Sequence, residues 1–508
     1  MVQPALSLSE RYFQYLEHCE IELHPAIAQN IKQSLESTNW EDPQSALERN
    51  NVAIAVLIEA EQCEPSFRGV LLETAIELLN PVIDQHPLCA AHFALVQSLV
   101  GNRSEATNLA FSAFIQTLGT VESDTIPIGA IYLPERSLLK IVLQAETGAT
   151  QALYLLTAIL QHSQLVFYNN YGVRFLNLSA QILPTNRLTA LKIGIASLIQ
   201  SQWEGLSAIH RARQLEPHHP QVLQALFLAY RDLRQIETAK HWLEVAKSVR
   251  STHSTWQWTE ASIDNSITYL PFEDCTIAVE ASLRSIVTSV LLAEGDWFER
   301  EMEFWRSQIQ PGMTVIDVGA NVGVYTFSAA SRVGKDGCVI AVEPFSGCVR
   351  CLEETCRIND FSQVRIQAGA ASDRIGTAKL SLQSASELNE VIDAESDVEN
   401  AETIKCFTLD SLIEAETITR IDFLKIDAEG HEMQVLKGSD RILTEFRPII
   451  LYENIAGTKG SNLPVAEYLM AKNYRLFRYQ PFVQEVIEIQ SLEDLQGNLN
   501  VIAMPHAI

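Results

Sequence analysis

Basic residues are scarce in this 508-residue sequence, which holds 37 Lys and Arg against 63 Asp and Glu. The resulting formal net charge of -26 argues against a nucleic-acid backbone or an anionic membrane as the main partner. Long hydrophobic runs are also missing, so no segment is expected to span a bilayer. The first ten residues contain neither a basic region nor a long apolar stretch. We therefore expect no signal peptide and a cytoplasmic location.

Paired cysteine spacing is nearly absent as well, because most of the 9 cysteines are scattered along the chain. Cys348 and Cys351 form one Cys-x-x-Cys pair, a spacing that suits a redox or metal site. No second pair and no nearby histidine would complete a zinc site around them. The cysteines are therefore predicted to be buried or half-buried reduced thiols.

The length exceeds what one hydrophobic core usually serves, so two or three domains are expected. From the N-terminus to about residue 250, apolar residues recur at helical spacing. Leu183-Pro184 and Glu216-Pro217 lie about one tetratricopeptide period apart. Ala212 and Ala246 share that offset. This half resembles a degenerate tetratricopeptide-repeat solenoid, and an irregular helical bundle is the alternative.

The predicted domains are a helical domain over 1–250, a linker and entry segment over 251–282, and a catalytic domain over 283–508. A solenoid of helix pairs forms a concave groove, which usually binds a peptide or another protein. The helical domain is therefore predicted to bind a protein partner in that groove. The alternative is that its helices only dock on the catalytic domain or join two copies of it.

The catalytic half alternates strands with helices, which predicts an α/β fold with a mostly parallel, doubly wound sheet. Seven strands are predicted, at about 314–318, 338–343, 364–368, 423–427, 448–452, 474–478 and 500–504. In such sheets, ligands bind at the carboxyl ends of the strands. The residues at or just beyond those ends are Asp317, Glu343, Ala370, Asp427 and Glu453.

The apolar run that begins at Val315 leads into a sequence typical of a tight turn and a helix start. An acid ends the run, and glycine or asparagine follows at alternate positions: Asp317, Gly319, Asn321 and Gly323. Glycines let a backbone approach a ligand closely, and a helix N-terminus offers free N–H groups. Some way on, Glu343 ends the next strand, where an acid can bind both hydroxyls of a ribose. These features indicate a nucleoside cofactor.

The turn also discriminates between cofactors. A dinucleotide site requires Gly-x-Gly-x-x-Gly, whereas Gly319-x-Asn321-x-Gly323 stands here. No basic residue lies within the turn or the first turn of the helix. A cofactor without phosphate, such as S-adenosylmethionine, therefore fits better than NAD. The remaining alternative is an ordinary strand–turn–helix whose glycines serve only the fold.

Three motifs stand together in this half: Asp317-Val-Gly-Ala-Asn-Val-Gly-Val-Tyr-Thr326, Glu343-Pro344 and Phe423-Leu-Lys-Ile-Asp-Ala-Glu-Gly-His-Glu432. In combination they resemble the FkbM family of S-adenosylmethionine-dependent methyltransferases, from roughly Leu283 to the C-terminus. The resemblance implies a Rossmann-like methyltransferase fold and, usually, methyl transfer to a hydroxyl oxygen of a sugar, glycan or natural product.

The resemblance also implies roles for single residues. The residues along the methionine half of the cofactor would be Asp317, Gly319, Asn321 and Gly323. Glu343 would hold the ribose, and Asp427 would lie beside the reacting centre. Because the segment after the third strand normally holds the adenine, Ala370 or Ala371 is predicted to contact that ring through backbone groups.

Methyl transfer to a hydroxyl requires that the acceptor oxygen be aimed at the methyl carbon and lose its proton. The candidate bases are Asp427, Glu429, His431, Glu432 and Glu453. His431 opens the helix after the fourth strand, where the helix dipole favours its neutral form. The predicted catalytic residues are Asp427, Glu429 and His431, with no metal. A divalent metal held by Asp427, Glu429 and Glu453, or a plain capped helix start, are the alternatives.

The favoured function is therefore an S-adenosylmethionine-dependent O-methyltransferase with a hydroxylated acceptor. A nicotinamide-dependent enzyme is disfavoured by the turn sequence. A tetratricopeptide scaffold with a vestigial catalytic half is the alternative outside enzyme chemistry.

Overall fold

The structure of the 508-residue chain is a computed structural model. It describes residues 7–119, 126–161, 177, 181, 187–250, 254–383, 386–392, 400–455 and 460–506. The chain divides into two compact units. Unit 1 comprises Met1–Thr189 with Gln480–Glu485, and unit 2 comprises Ala190–Tyr479 with Val486–Ile508.

Unit 1 is helical, as the apolar spacing predicts. Its described helices are α1 (Leu8–His18), α2 (Pro25–Glu36), α3 (Ala46–Gln62), α4 (Pro65–Leu79), α5 (Pro87–Val100), α6 (Arg103–Leu118), α7 (Arg136–Val142) and α8 (Gly148–Gln161), with a 3₁₀ turn at Asn80–Val82. Ser7 and Ser45 start α1 and α3 in capping boxes with Glu10 and Glu48, which satisfy otherwise unpaired N–H groups. The helical content is confirmed. The tetratricopeptide solenoid stays a prediction, and its Leu183-Pro184 lies outside the described residues.

A buried segment without helical structure, residues 128–133, precedes α7 in unit 1. The Tyr12 hydroxyl donates to the carbonyl of Ile131 at 2.9 Å and accepts from its N–H at 3.0 Å. Asn51 Oδ1 accepts from the N–H of Ala130 at 3.1 Å. These buried side chains replace the helical bonds that the segment lacks, so its backbone groups remain paired. Helical periodicity alone does not predict this irregular element.

Unit 2 begins within α9 (Arg187–Ile199) and continues with α10 (Gly205–Leu215), α11 (Pro220–Asp232), α12 (Ile236–Val249) and a 3₁₀ turn at Ser254–Glu260. A two-stranded antiparallel ribbon follows, β1 (Ile267–Phe272) and β2 (Cys275–Glu280). Helix α11 is tied to this ribbon and to the segment beyond it. Gln224 Nε2 donates to Thr268 Oγ1 at 2.9 Å, and Asp232 Oδ2 accepts from the N–H of Leu283 at 2.7 Å.

The compact units therefore divide well before residue 250, and the segment predicted as a linker contains β1 and β2. The domain boundaries at 250 and 283 stay predictions, because a compact unit need not coincide with a segment that folds by itself.

The main sheet of unit 2 has eight strands. It contains β3 (Thr314–Val318), β4 (Cys338–Glu343), β5 (Val364–Ala368), β10 (Phe423–Ile426), β11 (Ile449–Glu453), β12 (Tyr474–Gln480), β13 (Glu485–Glu488) and β14 (Asn500–Pro505). The strand order is β13-β12-β14-β11-β10-β3-β4-β5. The run from β11 to β5 is parallel, and β14 is antiparallel to both β11 and β12. The predicted α/β fold with a mostly parallel, doubly wound sheet is confirmed.

A second sheet has four strands, in the order β6-β9-β7-β8. Its strands are β6 (Ala370–Ala371), β7 (Gly376–Ser381), β8 (Glu390–Ile392) and β9 (Ala401–Phe407). The seven predicted strands occur in the main sheet with bounds shifted by at most a few residues, whereas β13 and this second sheet were not predicted.

The remaining described helices surround the two sheets. They are α13 (Ile286–Glu294), α14 (Glu301–Gln308), α15 (Val324–Val333), α16 (Ser346–Asn359), α17 (Leu409–Ala415), α18 (Glu432–Lys437) and α19 (Leu463–Ala471). Short turns lie at Ser386–Leu388, Ile442–Phe446 and Leu492–Leu495. Within the described parts of the chain, no helix combines the length and apolarity needed to cross a bilayer. All 9 cysteines are free, and Cys348 and Cys351 are buried, as expected of reduced thiols.

Candidate active site

The turn between β3 and α15 is shaped by two glycines. Gly319 has a φ of +75°, and a Cβ added there would lie 1.7 Å from the carbonyl oxygen of Asp427. Gly323 has a φ of +103°, and its added Cβ would lie 2.3 Å from the ring of Phe327. Both positions therefore require glycine for the packing of the protein itself. Whether they also let a cofactor approach stays a prediction.

The backbone of this turn is tied to the neighbouring strand. The N–H groups of Gly319 and Ala320 both donate to the carbonyl of Val342, at 2.9 and 3.1 Å. Asn321 adopts a φ of +50°, in the left-handed region that asparagine tolerates better than most residues. The turn is therefore held rigidly between the carboxyl ends of β4 and β10.

Asp317 is the penultimate residue of β3 and is 1% exposed. Its Oδ2 accepts a hydrogen bond from the Thr326 hydroxyl at 2.6 Å. Its Oδ1 is buried and has no hydrogen-bond partner among the described residues. Burial raises the pKa of this carboxyl, and the nearby Lys425 partly offsets the rise. A buried acceptor without a donor is a place where a ligand's N–H or ammonium group would be stabilised.

Glu343 ends β4 and turns its carboxyl to the same turn. Oε2 accepts from the N–H of Asn321 and Oε1 from the N–H of Phe345, both at 2.8 Å. Burial raises the pKa of Glu343 to about 7, although these two N–H groups oppose the rise. Each carboxylate oxygen has a second lone pair, so both backbone bonds leave acceptor capacity for a ligand's hydroxyls. The structure thus brings Asp317, Asn321 and Glu343 together.

The site contains a buried lysine, Lys425. Lys425 is 3% exposed, and its Nζ lies 2.7 Å from Asp427 Oδ2 and 4.4 Å from the ring centroid of Tyr325. Burial alone would lower the pKa of this lysine. The charges of Asp427, Asp317 and Glu299 outweigh that effect and raise it. Lys425 is therefore the charged partner of three acids from different segments of the chain, Asp427, Asp317 and Glu299.

Two side chains hold Glu299, one of the acids whose charge acts on Lys425. The hydroxyl of Tyr325 donates to Glu299 Oε2 at 2.5 Å, and Asn500 Nδ2 donates to the same oxygen at 3.0 Å. Burial raises the pKa of Glu299 to about 7, and Lys425 acts against the rise. Lys425 lies within one of the sequence motifs, but the motif predicted no role for it. The sequence does point to such a role, because a lysine inside the apolar strand Phe423-Leu-Lys-Ile needs a buried partner of opposite charge.

Three acids converge at the ends of β10 and β11. One carboxylate oxygen from each of Asp427, Glu429 and Glu453 lies within 4.8 Å of the others. Burial raises the pKa of Glu429 and of Glu453, and the negative charge of Asp427 raises both further. The structure therefore brings together two of the predicted catalytic residues and the acid considered as a third metal ligand.

His431 occupies the N-cap position of α18, as the sequence predicts. Its Nε2 lies 3.0 Å from the hydroxyl of Ser372, and burial lowers its pKa, which favours the neutral imidazole. The charged side chains that act on it are Asp373 and Arg374. Its proposed role as the base stays a prediction.

The turn before His431 is held by its neighbour. Glu432 Oε1 accepts from the N–H groups of Ala428 and Gly430, both at 3.0 Å. This geometry is that of a capped helix start, so the interpretation of Glu432 as a structural residue gains support over a catalytic role.

Ala370, the predicted adenine contact, is buried in β6 and pairs with Cys406 of β9. It therefore begins the second sheet, two residues beyond the end of β5. The contact with adenine stays a prediction.

Comparison with protein families decides what kind of domain surrounds this site. Residues 317–479 match the model of the family described as "Methyltransferase FkbM domain". The match is to a methyltransferase domain and is confined to this segment of the chain. It begins at Asp317 and contains the turn, Glu343, Lys425 and the three converging acids. A comparison with curated proteins gave no match.

Solved structures similar to this chain include the methyltransferase FkbM from Methylobacillus flagellatus KT, at 16% identity and a TM-score of 0.27. That match covers 44% of this chain and 54% of the other, so this chain spans about half the length of that protein. A SAM-dependent methyltransferase from Aquifex aeolicus matches at 16% identity and a TM-score of 0.23, covering 41% of this chain and 89% of that one. Likenesses this low carry no argument about fold or function.

Proposed function

We propose that the chain is an S-adenosylmethionine-dependent methyltransferase that methylates a hydroxyl oxygen of a sugar, glycan or natural product. The observation that carries the proposal is the pairing of two acids at one turn. Asp317 offers a buried oxygen without a partner, and Glu343 lies on the next strand with acceptor capacity to spare. The turn sequence has no basic residue for a phosphate. The acceptor class rests on the family resemblance.

The residues fit the polar groups of this cofactor. Glu343 can accept the two ribose hydroxyls in addition to its two backbone bonds, since a carboxylate has about four acceptor sites. Asp317 Oδ1 can accept from the ammonium of the methionine half, which would pair the oxygen that is otherwise unpartnered. Both acids are buried, and each charge-assisted bond is therefore stronger than it would be in water.

When bound, the cofactor supplies a methyl group on a positively charged sulfur. The protein must then orient the acceptor and receive its proton, because the acceptor oxygen loses a hydrogen as it gains the methyl carbon. Asp427 is held by Lys425, and protonating it would break their ion pair. Glu429 and His431 have no such constraint, so they remain the better candidates among the predicted catalytic residues.

Isotope transfer tests the proposed chemistry. The full-length protein would be incubated with S-adenosylmethionine labelled in the methyl group and with glycans and small metabolites of the host. Mass spectrometry is expected to find the label in a methyl ether, which requires transfer to oxygen.

A Glu343→Ala variant serves as the control for enzyme-dependent labelling. Label on nitrogen or carbon would contradict the oxygen assignment. Tight cofactor binding without any transfer would instead support the scaffold with a vestigial methyltransferase domain.

A further inference from the structure

The acids at the ends of β10 and β11 form a cluster that the cofactor does not account for. Asp427 follows β10, Glu429 lies two residues further, and Glu453 ends β11. Because β10 and β11 are parallel neighbours, with Ile426 opposite Tyr452, their carboxyl ends lie side by side. One oxygen from each acid lies within 4.8 Å of the other two. We call Asp427, Glu429 and Glu453 the acid triad.

A second observation distinguishes this cluster from an ordinary acidic surface. Glu453 is only 8% exposed, and its buried Oε2 has no hydrogen-bond partner within the part of the chain that the structure describes. Most acidic clusters on protein surfaces are solvated, and their oxygens bond to water. A buried carboxylate oxygen without a donor requires a proton or a cation to offset its charge.

One lysine, Lys425, acts on the triad, and it is shared with acids outside the triad. Lys425 Nζ bonds to Asp427 Oδ2, and its charge also acts on Asp317 and Glu299. The triad carries three formal negative charges when ionised, so this lysine cannot neutralise it.

We propose that Asp427, Glu429 and Glu453 bind one hard divalent cation of the Mg²⁺ or Ca²⁺ type. Oxygen ligands lie about 2.0–2.1 Å from Mg²⁺ and about 2.3–2.6 Å from Ca²⁺, so opposite ligands are about 4–5 Å apart. The 4.8 Å limit on the triad oxygens is compatible with a single ion. Three carboxylates without nitrogen or sulfur favour Mg²⁺, Ca²⁺ or Mn²⁺ over zinc or copper.

The ion would leave coordination positions open, because the triad offers three ligand atoms and these ions take six or more. Water or an acceptor oxygen would fill them, and a hydroxyl bound there would become more acidic. Binding of the ion does not depend on the proposed methyl transfer, whereas its effect on an acceptor hydroxyl rests on that proposal.

Metal titration without cofactor tests the site. The full-length protein would be freed of metal with a chelator and titrated with Mg²⁺, Ca²⁺ and Mn²⁺ by calorimetry, and its Tm would be measured with and without each ion. We expect one ion per chain and a rise in Tm on binding. Glu453→Gln should weaken binding at least tenfold and abolish the rise in Tm.

The variant also has a predicted effect without metal. Glu453→Gln keeps the shape of the side chain and removes a carboxyl whose ionisation burial and the two neighbouring acids oppose, so its metal-free Tm should equal or exceed that of the wild type. Glu445→Gln is the matched control, because Glu445 is exposed and pairs with Arg441 outside the triad. It should bind metal as the wild type does.

Two results would overturn the proposal. One is the absence of saturable metal binding by the wild-type protein. The other is metal binding by the Glu453→Gln variant with the affinity of the wild type. If Glu453→Gln failed to fold, Glu429→Gln would take its place with the same expected loss. Cofactor binding measured separately distinguishes the two proposals: cofactor bound without metal overturns the metal site alone, and metal bound without cofactor overturns the methyltransferase assignment alone.

Discussion

Replacing Lys425 by methionine should destabilise the protein strongly. The substitution keeps the length and the apolar stem of the side chain but removes the charge that faces Asp427, Asp317 and Glu299. Asp317 is 1% exposed, so its charge cannot be solvated in the variant. Asp427 has a side chain that is 27% exposed and can gain some hydration.

The size of the effect follows from these exposures. Breaking a buried ion pair by removing one partner costs about 3–5 kcal/mol. Because Asp427 is partly exposed, we expect about 3 kcal/mol, near the lower end. In the wild type the pKa of Lys425 is raised, so its contribution is complete below the unfolded-state pKa of about 10.4 and constant at neutral and mildly acidic pH.

The stability of the variant should depend on pH more steeply than that of the wild type. Without the lysine, the pKa values of Asp317 and Glu299 rise further, and these two carboxyls take up protons as the pH falls. The difference in the free energy of unfolding between the wild type and the variant should therefore be smaller at pH 5.5 than at pH 8, by about 1 kcal/mol or more.

Urea unfolding followed by tryptophan fluorescence would measure the free energy of unfolding at both pH values. Lys437→Met is the matched control, since Lys437 is exposed on α18. If Lys425→Met were as stable as Lys437→Met at both pH values, the buried lysine would not be the charge partner of these acids.

Four further predictions concern three single residues. Glu343→Gln should weaken cofactor binding by about 1–3 kcal/mol in calorimetry, because a charge-assisted bond to the ribose is lost; an unchanged Kd would place the ribose elsewhere. Burial raises the pKa of Glu343 to about 7, and the ribose hydroxyls favour its ionised form. The affinity of the wild type for the cofactor should therefore fall by up to about tenfold per pH unit below 7. The affinity of the Gln variant should not depend on pH in this way. His431→Ala should lower turnover about 10²–10⁴-fold with nearly unchanged cofactor affinity, and normal turnover would remove it from the mechanism. Gly319→Ala should destabilise the domain far more than Gly334→Ala in thermal unfolding, because both have positive φ but only the Cβ at Gly319 meets backbone.

Local patterns predicted the main sheet well. Most of the parallel strands are apolar runs bounded by turn residues, although β5 alternates apolar with polar residues. The carboxyl ends of parallel strands meet at one edge. For this reason Asp317, Glu343 and Asp427 could be placed near one another before the structure was known. The same patterns could not show that Gly319 is required by its contact with the backbone of Asp427, because that contact joins segments distant in the sequence.

Contacts between distant segments account for most of what was missed. Glu299 and Asn500 are linked by a hydrogen bond across 201 residues, and no spacing rule connects them. The loop at 480–485 belongs to unit 1, where Arg68 Nη1 donates to the carbonyl of Phe482 at 2.7 Å. In the second sheet, β6 and β8 have only two and three residues, and β7 and β9 mix apolar with polar residues, so these strands lack the apolar runs that marked most of the main sheet.

Calorimetric titration of the purified full-length protein with S-adenosylhomocysteine and with NAD tests the central claim most directly. The turn at Gly319–Gly323, with Asp317 and Glu343 beside it, predicts binding of one S-adenosylhomocysteine per chain and none of NAD. Binding of NAD with equal or higher affinity, or no binding of S-adenosylhomocysteine, would contradict the assignment of this edge of the sheet as a methyl-donor site.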